Sequence, residues 1–326
     1  MQRIFIALAA LCTTVMASAA QEKTPLRMGV IANSSRSISQ LGLYIAQRRG
    51  FFERENLDVK LVPLPGVQHQ IAELDKGNVD VSHTATPYLI QAVLAGSDSA
   101  AIVGGLANPI FAVLAKPGIN RLADLRGKTI GLSLPVDTIT IGSLKLFARA
   151  GLGKSDFTTK ELVGTPVRVD CLVNGACDAV PVGQPDDLVL MQKGYVNLGS
   201  SLDVIPALQF NVVAARRSWA AQNADVVTRY ARAFANAYRY MNDPANHDDV
   251  ASLITDTTSA APDIAAKIMN LYFEPARGIM PKTAEINMAG MSAVVALMGE
   301  AGELKGALPD AGRFVELRYL REAGVR

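Results

Sequence analysis

Histidine, tryptophan and cysteine are scarce in this chain: three, one and three among 326 residues. So few histidines leave no His-pair zinc motif, and a Ser-His-Asp arrangement would have to use His83 or His247, the latter in a polar turn between helices. A hydrolase serine elbow, a phosphate-cradling glycine loop and a paired-thiol redox motif are also missing. Charge of one sign is lacking: 32 Lys and Arg against 30 Asp and Glu give a net of +2. That balance removes any electrostatic case for nucleic acid or an anionic surface as partner. Beyond the amino terminus no apolar run approaches the roughly 20 residues a membrane helix needs. Hydrophobic residues still make up 49% of the chain, with no low-complexity run, as in an ordinary well-buried protein with room for two lobes.

Residues 1 to 20 carry the three parts of a secretory signal. Arg3 supplies the positive start, Ile4 to Leu11 the apolar run, and Ala17-Ser18-Ala19 the small-x-small site, with cleavage expected after Ala19 or Ala20. Leu11 precedes Cys12 where a lipoprotein would need a small residue, so a soluble, periplasmic protein is expected. Cys12 leaves with the signal. Cys171 and Cys177 flank the turn Asn174-Gly175. Export permits a disulfide there, and two buried thiols acting as small hydrophobes are the alternative.

The apolar pattern alternates between strand and helix periods. Leu26 to Ile31, Asp58 to Leu64, Val79 to Ser82, Ala101 to Leu106 and Ile110 to Ala115 read as strands. Helices over Ile38–Asn56, Val67–Lys76 and Tyr88–Leu94 lie between them, and Gly50 ends the regular part of the first. Lys116-Pro117-Gly118 breaks this order, and a second unit follows. It has a strand after Arg126, a helix over Thr138–Ala150, a strand at Glu161–Gly164, a helix at Val167–Val173, a strand at Cys177–Val182 and a helix at Asp186–Lys193. Phe210 to Ala215 is strand-like again, and the remainder is helical. Strands alternating with helices predict α/β lobes with mainly parallel sheets. One unit inserted in the other gives lobe I over 26–114 and 212–326, lobe II over 115–211, and two crossing segments as a hinge.

Three phrases carry a family resemblance. They are Tyr44-Ile45-Ala46 through Phe51-Phe52 to Leu57-Asp58-Val59, then Ala123-Asp124-Leu125-Arg126-Gly127-Lys128-Thr129-Ile130-Gly131, and finally Gly302 through Phe314-Val315 to Tyr319-Leu320. In this order, after a signal, the chain resembles ABC-transporter substrate-binding proteins of the sulfonate, nitrate, taurine and thiamine-precursor type. The resemblance implies the type II periplasmic-binding fold, a small-molecule ligand between the lobes and an ABC permease as partner. No cofactor, catalysis or oligomer is expected, and a monomer is.

Open α/β sheets bind ligands at the carboxyl ends of strands, where helix amino termini also favour anions. The candidates are therefore Asn33, Ser34, Ser35 and Arg36 after the first strand, with Ser37 or Ser39 serving as a helix cap. Ser82, His83, Thr84 and Thr86 follow the third strand, His83 being as compatible with a structural role. Asp137, Thr138 and Thr140 open a helix of the second unit. The resemblance gives Thr138 the best fit to an acidic ligand group, whereas Asp137 would favour a ligand with a donor or a cation. Gly183 permits close approach and Gln184 offers donors and an acceptor. Gln209, Phe210 and Asn211 lie at the return crossing, with Phe210 able to stack on a flat ligand. Arg36 and Arg168 are the cations that could clamp a carboxylate.

The leading expectation is a binding protein for a small polar organic molecule, best a carboxylate or sulfonate, aromatic ones included, delivered to an importer. A pyrimidine or thiamine-precursor ligand, presentation to a sensor, and an exported enzyme are the alternatives.

Overall fold

The computed structural model describes residues 22–32, 37–108, 110–205 and 207–325. The signal segment and Asn33, Ser34, Ser35 and Arg36 lie outside these residues. The strands are β1 Thr24–Ile31, β2 Leu57–Leu64, β3 Val81–Ala85, β4 Ser99–Gly104, β5 Ala112–Ala115, β6 Thr129–Leu132, β7 Thr158–Glu161, β8 Ala179–Val182, β9 Val196–Ser200 and β10 Asn211–Arg216. They form two five-stranded sheets, ordered β2-β1-β3-β10-β4 and β7-β6-β8-β5-β9.

Each sheet is mixed. In the first, β1 runs parallel to β2 and β3, while β10 is antiparallel to β3 and β4. In the second, β6 runs parallel to β7 and β8, while β5 is antiparallel to β8 and β9. The mainly parallel sheets expected from strand-helix alternation therefore each contain one reversed strand. The reason is topological: β5 and β10 are the strands that bring the chain into one sheet and back into the other. Ala112–Ala115 consequently pairs in the second sheet, not at the end of the first as its place in the sequence suggested.

The described parts of the two connections, 105–108 with 110–111 and 201–205 with 207–210, run side by side. Phe210 N donates to Leu106 O at 2.9 Å, Leu208 N to Asn108 Oδ1 at 2.9 Å, and Ser201 N to Phe111 O at 2.9 Å. Bonding the crossings to each other confines any relative motion of the sheets to a few residues.

Period-two alternation sets the cores. In β5, Val113 and Ala115 join Ile130, Leu132, Phe147 and Phe157 on one face, while Ala112 and Leu114 join Leu172, Val180 and Val182 on the other. The first sheet packs into a larger cluster with the long helix Ala224–Asn242, whose Tyr230, Phe234 and Tyr238 all face inward. Helix Leu41–Arg48 stops where Gly50 takes φ 67°, and Phe51–Arg54 resumes the helix in a new direction. That break turns Phe52 onto Tyr230, rings stacked 5.6 Å apart.

Cys171 and Cys177 form a disulfide that ties helix Thr165–Val173 to the approach of β8, with Cα atoms 5.1 Å apart. Both residues are buried. Closing so short a loop restricts the unfolded chain enough to stabilise the fold by about 2 kcal/mol. A Cys171→Ala, Cys177→Ala double variant should therefore unfold at lower urea with an unchanged slope. An unchanged midpoint would show that the bridge adds nothing to stability.

Candidate functional site

Strand ends and helix starts of both sheets converge on a cleft of about 240 Å³. From the first sheet's side come Gln40, Gln70, His83, Thr84, Phe210 and Asn211. From the second come Ser133, Asp137, Ile139, Arg168, Gly183 and Gln184. Leu106, Ile110 and Phe111 floor it from the first crossing. Phe111 meets Phe210 edge to face at 5.7 Å, giving one aromatic corner. A Cβ on Gly183 would sit 3.1 Å from the Phe111 ring, so glycine lets that corner pack closely.

Asp137 caps helix Thr138–Arg149. Its Oδ1 accepts from Ile139 N at 3.0 Å, and Oδ2 accepts from Ser133 Oγ at 2.9 Å and Tyr88 Oη at 3.4 Å. Burial raises its pKa, opposed by the Ile139 amide, by Arg168 and by the two hydroxyls. Arg168 is 1% exposed. Its guanidinium donates to Pro181 O at 2.8 Å, Leu162 O at 3.2 Å and Thr165 Oγ1 at 3.1 Å. Burial lowers its pKa to about 10, against the pull of Asp137, so it stays charged at neutral pH.

Gln184 is held from both sides. Its Nε2 donates to Asp187 and its Oε1 accepts from Tyr272 Oη at 2.7 Å. Burial pushes Asp187 up to about 6. His83 is pushed down to about 4 by burial, opposed by a backbone bond to Ser39, which leaves the imidazole neutral. Its backbone carbonyl accepts from Gln70 Nε2.

Two tyrosines thus reach from the first sheet's helices to the second sheet's polar groups: Tyr88 to Asp137 and Tyr272 to Gln184. Two further links cross outside the cleft, Lys145 to Glu300 at 2.6 Å and Gln192 to Asp263 at 3.0 Å. A Tyr272→Phe variant removes the donor to Gln184 and should weaken closure by about 1 kcal/mol. Distances between spin labels on the two halves should then broaden toward longer values. An unchanged distribution would show that the hydroxyl does not hold the halves together.

The sequence candidates divide by position. His83, Thr84, Asp137, Arg168, Gln184, Phe210 and Asn211 line the cleft. Ser37 and Ser39 line it too, and Ser37 Oγ caps the turn by accepting from Ser39 N at 3.3 Å. Ser82 and Thr86 do not line it: Ser82 Oγ donates to Gly29 O at 3.3 Å and Thr86 Oγ1 to Gln209 O at 2.6 Å, both fully buried. Gln209 ties Gly105, Asn211 and Asn287 together inside the hinge. Thr138 and Thr140 point elsewhere because successive helical residues turn about 100°. Ile139 takes the cleft direction, and Thr140 lines a separate hollow beside Leu144 and Lys145.

Gln70, Tyr88 and Tyr272 were not evident in sequence. Tyr88 and Tyr272 sit on apolar helix faces and read as core. Gln70 interrupts the apolar row of Val67, Ile71 and Leu74, and a buried amide in such a row was the available signal.

Comparison with known proteins fits this architecture. A structure of the ligand-binding component of an ABC-type import system from Staphylococcus aureus, with zinc bound, superposes with a TM-score of 0.76 at 16% identity, over 92% of this chain and 99% of that one. The alkanesulfonate-binding protein SsuA from Xanthomonas axonopodis pv. citri, bound to MOPS, gives 0.69 at 18% identity over 90% and 99%. At these identities the likeness is one of fold. A putative thiamine biosynthesis protein from Haemophilus influenzae is 31% identical over 121 residues, 36% of this chain and 37% of that protein. The chain thus matches little more than a third of the length of that curated relative. The profile described as NMT1/THI5 like matches residues 37–247, well over half of the 326 residues, and the chain belongs to the NMT1/THI5-like family.

Proposed function

We propose that this protein is an exported solute-binding protein that takes a small polar organic molecule into the cleft and hands it to an ABC permease. The cleft itself carries the reading: two sheets present strand ends to one polar, aromatic-cornered space and are joined by only two short crossings. Such a hinge lets ligand shift an open–closed equilibrium. The S. aureus structure is described as the ligand-binding component of an import system, and the Xanthomonas protein as alkanesulfonate-binding. Among the described residues no helix is long and apolar enough to cross a membrane, and no cluster of metal-ligating side chains occurs. The bond of His83 to Ser39 is to that residue's backbone and not to its hydroxyl, so a binding role without catalysis fits better than hydrolysis.

The charged side chains among the described lining are Arg168, Asp137 and Asp186. Their sum gives no net positive charge, and Arg168 already spends three donors on its own lobe. A compact, uncharged, partly aromatic molecule therefore suits the cleft better than a sulfonate. A carboxylate or sulfonate is the second reading, carried by the remaining Arg168 donors.

Native mass spectrometry of the purified protein, followed by thermal-shift titration with pyrimidines, carboxylates, sulfonates and nitrate, tests this. Ligand at a hundredfold excess over Kd should stabilise by about 2.7 kcal/mol. A bound compound recovered chemically unchanged supports binding, and a converted product would point to an enzyme. No bound compound and no shift with any class would overturn the reading.

A further inference from the structure

Two polar atoms in the cleft are buried and, among the described residues, unpartnered: Gln70 Oε1 and Asn211 Nδ2. Both residues line the cleft and are 0% and 2% exposed. Amide oxygen and nitrogen are told apart by their partners, and here each partner settles the matter. Gln70 donates Nε2 to the carbonyl of His83, so the atom left over is an acceptor. Asn211 accepts at Oδ1 from Leu106 N at 2.8 Å, so the atom left over is a donor. The Asn211 amide is also fixed in place. A Cβ on Gly105 would lie 1.9 Å from its Oδ1, so only glycine at 105 lets the carboxamide close against that backbone.

Buried amide atoms without partners are rare because each forfeits its bonds to water. One of each polarity in one cleft is the imprint of a molecule that supplies the complement. Resting on the binding-protein reading, we propose that Gln70 Oε1 and Asn211 Nδ2 act as an acceptor and a donor that select an uncharged ligand bearing both a donor and an acceptor, such as a carboxamide or an amino-substituted nitrogen ring. A sulfonate group or nitrate ion carries acceptors only. It can satisfy Asn211 but sets its oxygens against the Gln70 carbonyl oxygen, so the pair also rejects acceptor-only anions. The Phe111–Phe210 corner gives a flat ring an apolar wall within the same cleft.

The test is calorimetric titration of the full mature chain with 4-aminopyrimidine, nicotinamide, ethanesulfonate and nitrate. Asn211→Asp keeps the acceptor that Leu106 N needs and turns the free donor into an acceptor. Gln70→Met removes the free acceptor. Wild type should bind at least one of the two uncharged probes in preference to the anions. Each variant should lose tenfold or more in that affinity, since removing one partner of a buried hydrogen bond costs about that much. A merely structural role for these amides would lower the melting temperature of the ligand-free variants but leave the ratio of uncharged to anionic affinity unchanged. That unchanged ratio overturns the proposal. Anions bound by wild type and Asn211→Asp alike, with no uncharged probe bound, overturn the donor–acceptor pair and leave the binding-protein reading standing. If wild type binds none of the probes, the pair is overturned, and the retained-ligand mass spectrum decides the broader reading separately.

Discussion

Replacing Arg168 with Met should destabilise the protein by about 3–5 kcal/mol. The size follows from what the guanidinium does while almost wholly buried. It meets the carbonyls of Pro181 and Leu162 and the hydroxyl of Thr165, so its removal orphans acceptors on β8, on the loop after β7 and on its own helix. It also supplies the positive potential that opposes the burial penalty on Asp137. Taking away one member of a buried charge pair leaves the other uncompensated, which is the costly case. Met fills the side chain's path only as far as Nε, so the emptied space of the guanidinium head adds to the loss. Urea denaturation of Arg168→Met beside Arg168→Lys separates the effects. Lys retains the charge but not the fork that reaches three acceptors at once, and should recover only part of the loss. Wild-type stability in Arg168→Met would mean that water replaces the guanidinium at no cost.

The second large effect is a pair of opposed pH dependences. His83 has a folded-state pKa of about 4 against 6.5 for the free side chain. The folded state therefore binds fewer protons than the unfolded state between those values, and stability is lost as pH falls through that window. Asp187 has a folded-state pKa of about 6 against 3.8. Here the folded state binds more protons, so stability is gained as pH falls from 6 toward 4. Asp137, raised by burial, acts in the same direction as Asp187. The His83 and Asp187 shifts, about two units each, correspond to about 3 kcal/mol apiece, so those two contributions largely cancel in wild type between pH 6 and pH 4.5. The surface carboxylates held low by ion pairs, such as Asp124 beside Arg121, act below that window. His83→Gln should gain stability on acidification from pH 6.5 to 4.5, and Asp187→Asn should lose it, each by about 2 kcal/mol across this narrower range. Denaturant midpoints at four pH values would show the divergence. Parallel profiles for both variants and wild type would mean that neither group titrates differently in the folded state.

Much of the architecture follows from local pattern. Period-two and helical spacing located β1, β2, β8 and the helices between them to within a few residues, because side-chain direction repeats along a strand or helix whatever the tertiary context. The break at Gly50 was legible for the same reason, since a left-handed backbone there needs no distant partner. The strand β9, Val196–Ser200, was not, because Val196 and Leu198 are its only two apolar side chains, too short a pattern to tell a strand from a loop. Nor was the sheet membership of β5: Ala112–Ala115 is apolar on both faces and would fit either sheet.

In the cleft, the sequence by itself determined which loops end strands, and so brought His83, Asp137, Gln184 and Asn211 into view. Only the tertiary structure decided which hydroxyls turn away, since the rotation of a helix start about its axis is set by packing. That rotation sends Ile139 into the cleft and Thr138 and Thr140 out of it. Tertiary structure alone also brought in Gln70, Tyr88 and Tyr272, whose neighbours in the chain are core residues. Their function depends on what lies opposite them, between residues as far apart in sequence as Tyr272 and Gln184.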